Sequence, residues 1–503
     1  MTVSPHPPQF AMPEERLARV TAYRHTHIPG RRALHLMQRF SSGYNPALFA
    51  QVRRAGGARA WFDQQLHPGR IPDKFADGLA DWFPQMSWTP LRAYQQVKSH
   101  RMNRSVYLDG IAQLAMLRRT YSNRQLFEVM VDFWLNHFHV FSPVNQAWPF
   151  RPSYDAAIRS HALGTFADLL KAADTHPAML RYLSADDSVG DAINENLGRE
   201  LLELHTVGRT AGYTEEQVQE SAKILTGQLI DKDTLRPYYD EAEHYHGPVQ
   251  VMGFSHPNGR GQGQEVLDAY LSYLAHHPAT ARRIATKLAV RFVADLPPAG
   301  LVDRVAAAYL SSGTDIKLTL RALVDDPQFY SHATPKVRTP VEDVVATLRA
   351  LGVRIRRPTS VTDGDEAAHA VLWLATGIGQ QPWRWFTPDG FPDRSDAWAS
   401  ASRMLASFRV HRELGGGFYP KRHAHYRTGA AWLPQRRIRF DELVDHLCRV
   451  LHGRGATVAL LRAACDYLEA TPGAVITAQH PVAQWRMPWL LSLLLDSPTH
   501  MTR

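Results

Sequence analysis

A chain of 503 residues, 44% of them apolar, has enough material to bury a large core, and it exceeds the length at which one core stops growing, so two or three tightly joined subdomains are expected. Its 57 Lys and Arg against 48 Asp and Glu leave +9, but the excess is arginine spread along the chain, which argues against nucleic acid as a partner. Two cysteines in apolar helical patterns, Cys448 and Cys465, exclude a disulfide framework and a cysteine zinc site.

No run reaches the roughly 18 apolar residues of a membrane span. Residues 1–13 are Pro-rich, read as a disordered start, and lack the pattern of a secretory signal. A cytoplasmic location is expected, with export alongside a partner left open.

Residues 14–23 and 33–40 have helical spacing, Tyr44-Asn45-Pro46 opens another helix, and the periodicity continues over 91–117. Ser122-Asn123-Arg124-Gln125 reads as a capping box that starts a helix running to about His139. That helix carries two apolar stripes, Leu126, Met130, Phe133, His137 and Phe127, Val131, Trp134, Phe138, and a helix apolar on so many sides is a buried one. Its remaining face holds Glu128, Asp132, Asn136 and His139. Burying such groups costs several kcal/mol unless they are paired or bind a metal. Glu128, Asp132 and His139 are therefore candidate metal ligands and Asn136 a candidate substrate contact. A histidine on an apolar stripe is more often a satisfied core residue, but His137 joins the catalytic candidates.

One helix is expected over 158–173 and a turn at Pro177, before the densest polar stretch of the chain, residues 194–208. On a helical wheel Leu197, Leu201 and Leu204 form an apolar stripe beside Asn196, Glu200 and Glu203, and Gly208 supplies the stop. Glu195, Glu200 and Glu203 are the catalytic candidates here, with Asn194, Asn196 and Arg199 as substrate contacts. The bland account is solvated i,i+4 pairs, Glu195 with Arg199 and Arg199 with Glu203.

Thr214-Glu215-Glu216-Gln217 is a second capping box, opening a helix closed by Gly227. Alternation and Gly/Pro punctuation near 238–254 suggest a short β-hairpin. His244 there is a fourth candidate metal ligand, although a surface loop is the simpler explanation. The glycine run 259–263 lacks the strand and the Lys-Ser/Thr of a phosphate loop. Helices resume over 265–276, 278–294, 301–311, 316–325 and 340–351. The Pro/Thr/Gly/Asp-rich segment 358–365 marks a boundary between a main helical domain, 14–357, and a C-terminal helical subdomain, 358–503, packed on it. After a helix over 367–377 comes a long aromatic non-helical segment, 379–392, whose Trp383 and Trp385 are candidate substrate contacts. Residues 440–450, 458–468 and 485–495 are helical again. The fold class is mainly α: a multi-helix, bundle-like array with long loops and at most a short β-hairpin.

Several motifs in order resemble the bacterial domain-of-unknown-function 1800 family: Phe133-Trp134-Leu135-Asn136-His137-Phe138, Asn194-Glu195-Asn196 with Arg199-Glu200-Leu201, Leu225-Thr226-Gly227, His244 with Gly247-Pro248-Val249, Lys287-Leu288, Pro340-Val341-Glu342, Pro388-Asp389-Gly390-Phe391-Pro392 and Leu495-Asp496-Ser497-Pro498. The resemblance spans almost the whole chain and implies a mainly helical fold and a bacterial source, but no chemistry. Members are often encoded beside a second family, domain of unknown function 1501, which implies a protein partner. Leu135 stands where the family often has His, and Tyr245 follows His244 where it often has Asp, so this member could carry a degenerate site.

The sharper functional expectation is a hydrolase with a carboxylate/histidine cluster between helices, acting by acid and base or assisted by a divalent metal. No Gly-x-Ser-x-Gly elbow, His-Glu-x-x-His run or Walker loop narrows it. The alternative is a non-catalytic assembly or binding protein whose acids and arginines form ion pairs between helices. A catalytic site needs unpaired carboxylates beside an open cavity, whereas an architectural network matches every acid to a donor.

Overall fold

Helix Gln125–His137 is the middle of the structure, and the computed structural model, which describes residues 23–143, 147–360 and 363–503, buries nearly all of it. Leu126, Met130 and Trp134 have no exposed surface, and the helix packs against Ala58–Gln65, Arg104–Tyr121 and Arg151–His161. The expectations for residues 1–13, and for 14–22 of the first helix, lie outside the described residues.

The start of this helix differs from the expected capping box. Ser122 Oγ accepts from Arg124 N–H at 2.9 Å and donates to Asp73 at 2.5 Å, while Asp73 also accepts from Asn123 N–H at 3.1 Å. Gln125 turns back without completing the box: its Nε2 donates to Ser122 O at 2.7 Å while its Oε1 accepts from Ser42 N–H. A carboxylate some fifty positions upstream thus ties down the chain just ahead of the helix, and in the first turn Gln65 Oε1 accepts from Leu126 N–H at 3.2 Å. The variant Asp73→Ala is expected to lower stability by about 1.5–3 kcal/mol, the usual worth of a hydrogen bond to a charged group, read as a shift in the urea midpoint. A change indistinguishable from zero would show that Ser122 alone suffices.

The helix expected over 158–173 is two helices, Arg151–His161 and Phe166–Asp174, broken at Gly164, with Thr165 Oγ1 accepting from Asp168 N–H. The Thr214 to Gln217 capping box forms and opens helix Glu215–Ile224. Against it lies the helix of the polar stretch. Gly198 is needed there, since a Cβ would come within 2.7 Å of the Ala222 backbone nitrogen. This helix does not keep 3.6 residues per turn to residue 207. It is α-helical over Asn196–Glu200 and widens into a π turn over Leu201–His205. Thr206 Oγ1 donates to Leu201 O at 2.6 Å and Gly208 N–H to Leu202 O at 2.8 Å, with Gly208 at φ +88°. π turns of this kind interrupt helices where a side chain must be re-aimed.

The fold is mainly α. Its strands form short two-stranded antiparallel sheets: Val249–Val251 with Phe254–His256 at the expected hairpin, and also Gln228–Ile230 with Pro237–Tyr239, Arg354–Ile355 with Ala424–His425, and Arg437–Arg439 with Val475–Thr477. Strands of two or three residues are too short for a period of two to show in sequence. One hydrophobic cluster runs from Tyr23 to Leu495. Helix Pro340–Leu351 is buried at every residue and packs on Arg104–Tyr121, Ala367–Ile378, Ala401–Gly415 and Phe440–His452, so elements on both sides of 358–365 share it. No helix among the described residues is long and apolar enough to cross a membrane.

Candidate functional site

The last carbonyls of the π turn have no helical N–H to accept from. Side chains from two other helices take them. Arg283, on helix Pro278–Phe292, donates from Nε and Nη2 to Leu204 O at 3.2 and 3.0 Å. His137, from the end of the central helix, places Nε2 3.1 Å from His205 O. A carbonyl only accepts, so Nε2 carries the proton and Nδ1 carries the lone pair. That lone pair faces Lys287 Nζ at 2.9 Å, one helical turn beyond Arg283.

Burial depresses the His137 imidazole well below its ordinary range, with Lys287 and His205 pushing the same way. Burial also brings the Lys287 amine down to about 7, Arg283 adding repulsion while Asp393 and Asp389 oppose it. Behind them the His205 ring is fully buried with Asp174 Oδ1 2.7 Å from its Nδ1, a close contact whose angles are not those of a hydrogen bond. Beside His205, burial raises the Glu200 carboxyl, Glu203 reinforcing the shift and His205 opposing it. Glu200 Oε2 is buried and makes no hydrogen bond. The phenol of Tyr182, raised by burial, feels both Glu200 and Asp389 and stays protonated.

The aromatic segment covers this corner. Asn136 clasps it with both amide atoms, Nδ2 donating to Phe391 O and Oδ1 accepting from Phe391 N–H, each at 2.8 Å. His139 Nε2 donates to Trp385 O at 2.8 Å, and burial lowers that ring to about 4, so it is a neutral donor at physiological pH. Trp385 Nε1 donates to Asp389 at 3.1 Å. Trp383 holds φ +57°, unusual for a bulky residue, and its ring lies 4.0 Å beneath the Arg151 guanidinium. Under the segment is a cavity of about 50 Å³ lined by Asp132, Asn136, His139, Arg291, Trp383 and Asp393, among others.

The structure therefore brings Asp132, Asn136, His139 and Trp383 together around one cavity, with Trp385 held beside it by His139, and His137 and Glu200 around the neighbouring π turn. The other sequence candidates stand apart, and Asp132 in the cavity wall is already paired. Glu128 is gripped by Arg159 at 2.7 and 3.0 Å. Asp132 is bound by Arg119 at 2.7 Å. Arg199 reaches Glu215 at 2.6 Å and Glu195 at 3.3 Å, and Glu203 pairs with Arg209. Asn194 accepts from Asn196 N–H at 2.9 Å, and Asn196 itself is exposed. His244 uses both nitrogens, on Thr226 O at 3.0 Å and Asn258 Oδ1 at 2.9 Å. Glu128, Asp132, His139 and His244 consequently do not form a metal site: guanidinium groups occupy the acids, and His244 is satisfied elsewhere.

Among the described residues, Asp343, His411 and His500 do present ligand atoms within 4.8 Å of one another. That donor set does not suit a cation. His411 already contacts Asp343 at 3.1 Å and Asp496 at 2.8 Å, Arg403 lies 3.3 Å from Asp343, and His500 Nε2 bonds Thr347 Oγ1. A metal would have to displace an imidazolium beside a guanidinium.

Sequence reasoning missed Lys287, His205, Asp174, Tyr182 and Asp389. On a regular helix Glu200 and His205 lie on different faces, and only the wider π turn puts them within electrostatic reach. A single lysine on an amphipathic helix carries no signal by itself. A family model described as a protein of unknown function, DUF1800, matches residues 35–502. No curated protein and no solved structure matches the chain.

Proposed function

We propose, for a chain that belongs to the DUF1800 family of proteins of unknown function, that it is a hydrolase working by acid–base chemistry at the π turn. One observation carries this reading: of the acids singled out above, Glu128, Asp132, Glu195 and Glu203 are each matched to an arginine, whereas Glu200 is not. An unmatched carboxylate whose proton is held by burial is suited to protonating a leaving group. Lys287, lowered by burial to about 7 so that the free amine is well populated at neutrality, and backed by His137, is suited to drawing a proton from water. The aromatic segment, with Phe386 78% exposed beside Trp385, offers the flat faces on which a sugar-like polar substrate stacks. The metal-assisted form has no support in the geometry, because Arg159 and Arg119 occupy Glu128 and Asp132, His139 bonds Trp385 O, and His244 is satisfied by Thr226 and Asn258.

For the arginine-matched acids the architectural reading accounts for the geometry, so assembly and catalysis divide the polar stretch between them. A protein partner from the 1501 family remains part of the proposal. No motif here adds a nucleic-acid surface.

The test is a panel of polysaccharides and aryl glycosides assayed by product release. On any substrate turned over, Glu200→Gln is expected to reduce the rate about 10²-fold, while Glu203→Gln stays within a few-fold. Carboxyl NMR of the folded protein gives a check without a substrate: Glu200 should titrate above the other glutamates. Ordinary titration of Glu200, or equal rates in the two variants, would remove the reading.

A further inference from the structure

We propose that Lys287 is an amine nucleophile, set by His137 to condense with a small aldehyde or ketone entering beneath the aromatic segment. This goes beyond the hydrolytic reading and uses none of the chemistry assigned there to Glu200.

The geometry points to it in three ways. The first is orientation. Because His205 O holds the Nε2 proton of His137, the opposite nitrogen accepts one N–H of Lys287 and leaves the amine lone pair directed elsewhere. The second is that no carboxylate among the described residues forms a salt bridge with Lys287. Lys171, Lys223, Lys232 and Lys336 lie against Asp268, Glu220, Asp187 and Asp295, whereas the hydrogen-bond partner of Lys287 is an uncharged ring, with Arg283 one turn away on the same helix. An ammonium is poorly supported there, and a neutral amine is well supported. The third is access. Part of the Lys287 side chain reaches the surface while its amine is buried, and the cavity of about 50 Å³ borders the pair without including it: its wall holds Phe133, Asn136 and Arg291, each within one helical turn of His137 or Lys287. Space on that scale admits a few heavy atoms, so the carbonyl compound is a small one.

The step balances without a further reactant. The amine lone pair adds to the carbonyl carbon, and one N–H proton passes by way of His137 Nδ1 to the alkoxide, giving the carbinolamine. The second N–H proton follows the same path to the hydroxyl, which leaves as water as the C=N bond forms. His137 is the proton carrier, and Asp174 with His205 forms the buried wall behind it.

The experiment traps the imine. Folded protein at pH 7 is incubated with glyoxylate and cyanoborohydride, digested, and each lysine scored by mass spectrometry. Lys287 is expected to be modified at least about tenfold faster than Lys317 or Lys421, because a free amine is far scarcer at an ordinary lysine at this pH. Its pH profile should have a midpoint near 7. The preference should vanish in urea, and His137→Gln, checked for folding by circular dichroism, should slow trapping at Lys287 alone. Trapping is read without turnover, so a failure to find a hydrolysed substrate leaves it standing. Equal modification of all lysines in the folded protein, a preference that survives unfolding, or a Lys287 midpoint near that of exposed lysines would each overturn the proposal.

Discussion

His411→Leu is expected to lower the stability of the protein by about 3–5 kcal/mol at neutral pH, the cost of breaking a buried ion pair and leaving its partner unmatched. His411 has no exposed surface and bridges two carboxylates, Asp343 at 3.1 Å and Asp496 at 2.8 Å. Burial pushes the imidazole pKa down, but Asp343 and Asp496 together lift it to about 9, so the ring is an imidazolium in the folded protein. Against its own burial, Asp343 is held well below the usual carboxylate range by His411 and Arg403. His500, whose ring is 5.4 Å from His411, is kept neutral by burial and by that same charge. Leucine would leave Asp343 with Arg403 alone and Asp496 facing it without a cation.

The pH dependence follows from the direction of these shifts. A histidine raised from about 6.5 unfolded to about 9 folded contributes in full below 6.5, and the contribution fades as pH rises through 9; its size is about 3 kcal/mol. The depressed Asp343 works in the opposite sense, contributing above its unfolded pKa of about 4 and losing that contribution in acid. His500, kept neutral, costs stability below about pH 6.5, and Asp496, raised by burial, titrates on the acid side, so the alkaline limb is the one that isolates His411: wild-type stability should decline from about pH 6.5 toward 9. Urea titrations across that range measure it. The His411→Leu protein should lack the alkaline decline, and parallel curves for the two proteins, or a loss below about 1 kcal/mol, would contradict the assignment.

This cluster also shows where sequence reading stops. Asp343 directly follows the Pro340-Val341-Glu342 motif and Asp496 lies in another, yet nothing in the chain marks His411, which meets Asp343 and Asp496 across 68 and 85 residues. Local features were legible because their cause is local: the apolar stripes of the central helix, the capping box at Thr214 and Gln217, the hairpin at 249–256. Pairing was not. Glu128 and Asp132 share one face of a helix, but that face is split between Arg159 and Arg119, which come from different neighbours. The π turn was hidden for a similar reason, since the Leu197 and Leu201 spacing suits a regular helix and the widening is fixed by tertiary partners, Gly198 against Ala222 and Arg283 on Leu204 O. The start of the central helix follows the same long-range logic, with Asp73 holding Ser122 and Gln65 taking the first-turn N–H of Leu126.

Gly390→Ala should release the aromatic segment from the site at a cost of about 3 kcal/mol, combining the penalty for a side chain at positive φ with that of an overlap in packed surroundings. Gly390 has φ +74°, and a Cβ placed on it would lie 2.3 Å from the backbone oxygen of Asn136 and 2.8 Å from its Oδ1. Neither atom can yield cheaply. The oxygen belongs to the last turn of the central helix, and Oδ1 is one half of the clasp on Phe391. The segment must move instead, and with it the bond from His139 to Trp385 O and the positions of Asp389 and Asp393 beside Lys287. Loss of those two carboxylates removes the attractions that oppose burial and Arg283, so the Lys287 amine should fall below about 7. Three readouts separate this from general damage: a smaller urea midpoint, a red shift in tryptophan emission as Trp385 becomes wetter, and a trapping profile at Lys287 moved to lower pH. Unchanged emission and an unchanged profile in a destabilised protein would mean that the segment is held by contacts other than Asn136, and that its carboxylates do not set the amine.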